Sequence, residues 1–153
     1  MASTVLNGLD EIRGAVGAHL GYSEWLTIDQ HRVNLFAEAT GDHQWIHVDV
    51  ERAKDGPFGG PIAHGYLTLS LSNLFLPQIL RVDGVDLGLN YGANKIRFMT
   101  PVKVGERVRG GGELVEVTDV PGGVQTLIRI TIEIEGNPKP ACVIESLSRW
   151  LTS

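Results

Sequence analysis

The chain has almost no cysteine. With only Cys142 among 153 residues, no intrachain disulfide can form, which excludes a disulfide-stapled extracellular scaffold. Cys142 lies in the apolar run Ala141-Cys142-Val143-Ile144 and reads as a buried, inert thiol rather than a nucleophile. The chain also lacks the roughly 18 uninterrupted apolar residues that a membrane span requires, so no membrane partner is expected. Met1 to Val5 lacks the charged-then-apolar pattern of a secretory leader, and the expected location is a reducing cytoplasm. Positive charge is scarce: 13 Lys and Arg stand against 18 Asp and Glu, for a formal net charge of −5. Without a basic face, no nucleic-acid partner is expected, although a few local cations could still serve a small anion. There is no internal repeat, low-complexity tract or dividing linker, so residues 1–153 read as a single domain.

What is present is a helix-bearing first half followed by strands. Leu9 to Val16 reads as a short amphipathic helix, and Tyr22 to Ile28 as a strand. Asp29 is placed to N-cap a helix over Gln30 to Thr40, with Val33, Phe36, Ala37 and Thr40 on one face. Gly41 ends it, and Asp42 to Val48 follows as an irregular loop. A helical turn over Glu51 to Lys54 stops at Gly56, where the breaker-rich run Gly56-Pro57-Phe58-Gly59-Gly60-Pro61 begins. From Ala63 to Leu76 the chain is apolar or small on nearly every side and carries no charge until Arg81. A helix of that composition has no solvent face and should be wrapped by other structure.

The wrapping material is strand. Val85–Asn90, Lys95–Met99, Glu106–Thr118, Val124–Glu135 and Pro140–Leu151 are the expected strands, with Gly105, Gly110 to Gly112 and Gly122-Gly123 as turns or bulges. Ile128, Ile130, Ile132 and Ile134 alternate with Leu127, Arg129, Thr131, Glu133 and Glu135, which gives one core face and one wet face. The expected class is α+β, an antiparallel sheet wrapped around one long central helix.

The segment Phe36-Ala37-Glu38-Ala39-Thr40-Gly41-Asp42-His43-Gln44-Trp45-Ile46-His47 carries the chemistry. An acid directly after a helix end sits in an already partly negative field, a misplacement that suggests the carboxylate is needed there. A loop of this length lets Asp42 and His47 point into one cleft. The segment resembles the MaoC-like (R)-specific enoyl-CoA hydratases and dehydratases, whose signature this chain matches at Phe36, Thr40, Gly41, Asp42, Ile46, His47 and Ala53. It departs from that signature at Gln44, where Asn is usual, and at Trp45, where Pro is usual. The resemblance continues through Ile62-Ala63-His64-Gly65, similar to the opening of the family's central helix, and Pro101 to Val108, similar to a turn common in hot-dog folds.

The resemblance implies a hot-dog fold, a homodimer and the reversible hydration of a trans-2-enoyl-CoA, or the acyl carrier protein equivalent, to the (R)-3-hydroxyacyl thioester. It assigns Asp42 and His47 as the pair that holds and activates water. Water is a poor nucleophile at neutral pH, so its addition to the β-carbon needs a base, a donor to the enolate oxygen and a proton for the α-carbon. An unperturbed Asp is ionised at pH 7, whereas an unperturbed His titrates near 6.5. A nearby carboxylate is expected to raise the histidine and keep it ready to donate. Which of the two protonates the α-carbon is left open. The backbone N–H of Gly65, at the start of the central helix, is the candidate oxyanion donor. The chemistry requires neither a cofactor nor a metal; His43 and His47 are four apart, but they lack a convincing third ligand.

Several residues carry two readings each. Trp45 either lines an acyl pocket or fills the space of the family's proline. His64 reads as a structural contact to the loop or as a substrate contact. Asn90, Tyr91 and Asn94 read as a polar turn between strands or as a place from which an amide reaches the thioester or pantetheine. Arg97, with Lys95, Lys103 and Arg107, reads as a solvated face or as a site for coenzyme A phosphates. Two rival functions stand beside hydration: a hot-dog acyl-CoA thioesterase, and a non-catalytic acyl-thioester-binding or partner subunit. Acyl chain length, carrier and pathway are not legible from the residues.

Overall fold

The computed structural model describes residues 2–153. Six strands form the sheet that organises it. β2 (His19–Tyr22), β6 (Arg107–Val120), β7 (Gly123–Ile134), β8 (Cys142–Leu151) and β5 (Leu87–Phe98) lie side by side in that order, and β3 (Leu26–Thr27) also pairs with β6. Every pairing in this sheet is antiparallel. The isoleucine alternation holds: Ile128, Ile130, Ile132 and Ile134 are buried. Two bulges let β5 run as one strand through Asn90 to Lys95, where the sequence suggested two separate strands. A parallel pair, β1 (Thr4–Asn7) with β4 (Leu80–Asp83), lies outside the main sheet and had no sequence signal strong enough to be read.

The sheet curls around a helical rod in the hot-dog arrangement. The rod has two segments, α5 (Gly65–Ser70) and α6 (Ser72–Ile79), rather than one unbroken helix. Leu71 between them keeps helical angles, but the hydrogen bonds tighten there, with the N–H of Leu74 donating to the carbonyl of Leu71. Leu67, Leu71, Phe75 and Ile79 form a buried stripe at intervals of four. The opposite side of the rod is uncovered: Tyr66 and Leu74 are exposed, because one curled sheet covers only one face. β6 approaches the rod closely at glycine. A Cβ at Gly110 would stand 2.8 Å from Cβ of Phe75, and one at Gly112 would stand 3.3 Å from Ile79.

The first half forms a cap that positions the loop. α1 (Leu9–Gly14) buries Ile12, and α2 (Gln30–Thr40) starts at Asp29, whose carboxylate accepts from the N–H of Arg32 at 2.8 Å. Val33 and Ala37 are buried, Phe36 is half-buried and Thr40 is exposed. Gly41 closes α2 at φ 83°, a left-handed angle that glycine adopts without penalty. Two short helices follow, α3 (Trp45–Val48) and α4 (Val50–Lys54), so part of the expected loop is helical.

Candidate active site

Asp42 and His47 reach one site because two chain segments are stitched together behind them. The N–H of Ile62 donates to the carbonyl of Ile46 at 3.0 Å, and His47 Nδ1 lies 2.7 Å from the carbonyl oxygen of Ile62. On the other side, the N–H of Ala63 donates to Val102 at 2.8 Å and the N–H of Val104 donates to Pro61 at 3.0 Å. The lead-in to the central rod is therefore held between α3 and the turn before β6. Gln30 Nε2 donates to the carbonyl of His47 at 2.8 Å and ties α3 to α2.

The bond to Ile62 fixes the tautomer of His47. A carbonyl oxygen can only accept, so Nδ1 carries a proton and Nε2 keeps its lone pair when the ring is neutral. His47 is only 6% exposed, and its burial is the main cause of a pKa held below the ordinary imidazole value. The bond to Ile62 opposes that shift, the neighbouring His64 adds to it, and Asp42 opposes it least. The carboxylate does raise the histidine, as expected from the sequence, but desolvation outweighs it. Burial therefore favours the neutral ring over the imidazolium.

Asp42 is exposed. Its Oδ1 accepts from the N–H of Gln44 at 3.2 Å, and its own N–H donates to Thr40 Oγ1 at 3.3 Å. His64, 3% exposed, places Nε2 3.0 Å from the backbone carbonyl oxygen of Asp42 and stacks on His47 with ring centroids 3.9 Å apart. One donor atom each from Asp42, His47 and His64 falls within a 4.8 Å cluster. That spacing suits a shared solvent molecule. One nitrogen of each imidazole is committed to a backbone carbonyl, which orients both rings.

Two cavities meet at this cluster. One, of about 390 Å³, is lined by Phe36, Thr40, Asp42, His64 and Tyr66; the other, of about 420 Å³, by Ile46, Ile62, Thr68, Met99, Val102 and Ala141. His47, Gly65 and Phe98 line both. Gly65 is the first residue of α5, where backbone N–H groups have no partner within the helix. A Cβ there would stand 3.4 Å from the Phe98 ring, an ordinary contact distance.

The family model described as the MaoC like domain matches residues 11–134. The chain belongs to this MaoC-like family. It is 54% identical over 142 residues to 3-hydroxyacyl-thioester dehydratase Z of Mycobacterium tuberculosis, covering 92% of this chain and 94% of that protein. It is 44% identical over 147 residues to nodulation protein N of Rhizobium leguminosarum bv. viciae, covering 94% and 89% respectively. Among solved structures, the R-hydratase PhaJ1 from Pseudomonas aeruginosa superimposes with a TM-score of 0.74 at 23% identity, over 90% of this chain and 83% of that one.

In this MaoC-like chain the structure gathers Asp42, His47, His64 and Gly65, and it places the other sequence candidates elsewhere. The Trp45 ring lies against Gly56, with the Arg52 guanidinium 4.2 Å from its centre, and lines neither cavity. It fills space beneath α4. Asn90 lines a separate groove with Ser72, Asn73 and Ser146. Tyr91 stacks on Arg149, whose guanidinium is 3.6 Å from the ring centre, and Arg97 is exposed on β5 opposite Val143. Sequence reasoning missed Phe98, Tyr66 and the carbonyl of Ile62. The first two read as ordinary strand and helix residues, and a backbone carbonyl leaves no mark in a sequence. Cys142 is buried as expected, its thiol pushed up to about 11 by desolvation. Among the described residues no helix is long and apolar enough to cross a membrane.

Proposed function

We propose that this protein is a hydro-lyase that reversibly adds water to a trans-2-enoyl thioester, giving the (R)-3-hydroxyacyl thioester. The observation that carries the reading is the convergence of the Asp42 carboxylate and the buried His47 imidazole beside Gly65, where two cavities join. The dehydratase relative and the R-hydratase neighbour support the substrate class and the stereochemistry.

In this reading His47 Nε2 takes a proton from water as the oxygen attacks the β-carbon. Electron density moves through the double bond to the thioester oxygen, which the N–H of Gly65 stabilises. The Asp42 carboxylate orients the water and offsets the transient charge on His47. The α-carbon gains one proton and His47 gives one up, so the protein ends unchanged. General base action of this kind contributes about 10²–10⁴ in rate, and losing one oxyanion donor costs on the order of 10²–10³.

The test follows the conjugated absorbance of crotonyl-CoA, with a chromogenic thiol reagent present to reveal any hydrolysis. Absorbance should fall without release of thiol. Asp42→Asn and His47→Gln should each lower the rate by roughly a hundredfold or more while keeping the fold. Full activity in both variants rejects the dyad, and thiol release in step with the absorbance loss rejects hydration.

A homodimer belongs to the same proposal. β5 is exposed along its full length, and Leu87, Leu89, Tyr91, Ile96 and Phe98 leave an apolar edge beside the uncovered side of the rod. A second copy pairing there would remove that edge and wall the cavities at Tyr66 and Phe98.

A further inference from the structure

We propose that His64 is a positioning residue that holds both members of the dyad at once, pinning the backbone of Asp42 and seating the ring of His47. The inference rests on the dyad reading above. His64 directly precedes α5 and is almost fully buried. Its Nε2 faces the carbonyl oxygen of Asp42 at 3.0 Å, and a carbonyl can only accept, so Nε2–H donates. Its ring lies on the His47 ring with 23° between planes, and Phe36 packs against it with centroids 4.9 Å apart.

The anchor matters because of where Asp42 sits. It follows Gly41, the residue whose left-handed backbone turns the chain out of α2, and its other loop contacts are long and exposed. The bond from His64 ties this corner to the start of the central rod. The remaining nitrogen, His64 Nδ1, is buried without a partner among the described residues. An unpaired buried nitrogen is a cost to folding that phenylalanine, which keeps the ability to stack, would avoid. What the imidazole offers and phenylalanine lacks is the donor to Asp42 and a titratable group against His47. This pattern, a local cost to stability beside reacting groups, marks a functional role rather than filler.

His64 also acts on the charge of its neighbour. The titratable groups facing His47 are Asp42, from the loop after α2, and His64, from the lead-in to α5. His64 disfavours a proton on His47, so removing the imidazole shifts His47 protonation to higher pH.

The experiment compares the full-length parent with His64→Phe and His64→Gln, running Asp42→Asn and His47→Gln alongside. It measures melting temperature, kcat and KM on crotonyl-CoA, the pH–rate profile, and the imidazole NMR titration of His47. His64→Phe should melt at or above the parent while kcat falls about 10- to 100-fold with KM within about twofold, as expected for lost alignment. Its acid limb and the His47 titration should both move to higher pH. His64→Gln, which returns an amide donor, should recover part of the lost kcat. Parent-like kcat with an unmoved acid limb in His64→Phe, while Asp42→Asn and His47→Gln are inactive, overturns the positioning role and leaves the dyad intact. If instead Asp42→Asn and His47→Gln keep their activity, the dyad reading fails first, and the His47 titration alone decides whether His64 governs that ring. Should His64→Phe not fold, His64→Leu, which likewise lacks a donor, decides by the same kcat and acid-limb criteria.

Discussion

Burial separates the two members of the proposed dyad. His47 is enclosed and Asp42 is exposed, so the imidazole is held neutral while the carboxylate stays in contact with solvent. The consequence for stability has a definite sign. In the unfolded chain His47 returns to about 6.5, above its folded value, so the unfolded state binds the proton first. The stability contributed by neutral His47 is complete above about pH 6.5 and is lost as pH falls through the lowered folded value. Urea midpoints should therefore decline as pH drops below about 6.5, and His47→Gln should flatten that part of the curve. Under the proposed mechanism the same titration gives the acid limb of the rate, which should begin below the ordinary imidazole range. A rate already falling at pH 7.5 would contradict a neutral base.

The glycines of β6 show how an element is shaped to carry this site. The run Gly110-Gly111-Gly112 lies where the strand passes between Phe75 and Ile79 on the rod side and Tyr22 on the other. Side chains on either face would push the sheet away from the rod that Gly65 begins. Gly110→Val should therefore cost about 1–3 kcal/mol through overpacking against Phe75, read as a lower denaturation midpoint. An unchanged midpoint would mean that the rod can shift freely, and the close approach would then not be what sets the distance between Gly65 and the sheet. The turn at Gly41 was legible in the sequence because a helix, a stop and an acid follow one another in a local pattern. The division of the rod at Leu71 was not, since Leu71 is apolar, buried and helical in its angles. Nothing in its side chain signals a tightened turn.

As a unit, the chain leaves one flank unfinished. β5 ends the sheet, exposes apolar groups and carries Phe98 into both cavities of the site. If a second copy completes it, light scattering at micromolar concentration should give about twice 16.6 kDa. Leu89→Lys with Ile96→Lys should shift the mass toward the monomer and lower kcat/KM, since like charges along an exposed edge oppose pairing. A parent that scatters at 16.6 kDa would remove the homodimer from the proposal. The sequence predicted a rod with no solvent face and therefore missed this flank. Its composition recorded how apolar the rod is, not how many layers the chain could supply to cover it.

Local order along the chain was enough to specify β6, β7 and β8, the capped α2, the turn at Gly41 and the candidacy of Asp42 and His47. Each of these depends on neighbours within a few residues, through side-chain alternation, capping or backbone freedom. Folding in three dimensions settled what depends on distant partners. Ile62 sets the tautomer of His47, burial lowers its pKa, His64 reaches across to Asp42, and β5 delivers Phe98 while Trp45, Tyr91 and Arg97 lie elsewhere. A proton's affinity for a ring depends on what surrounds that ring, and those surroundings come from segments that meet only when the sheet closes on the rod.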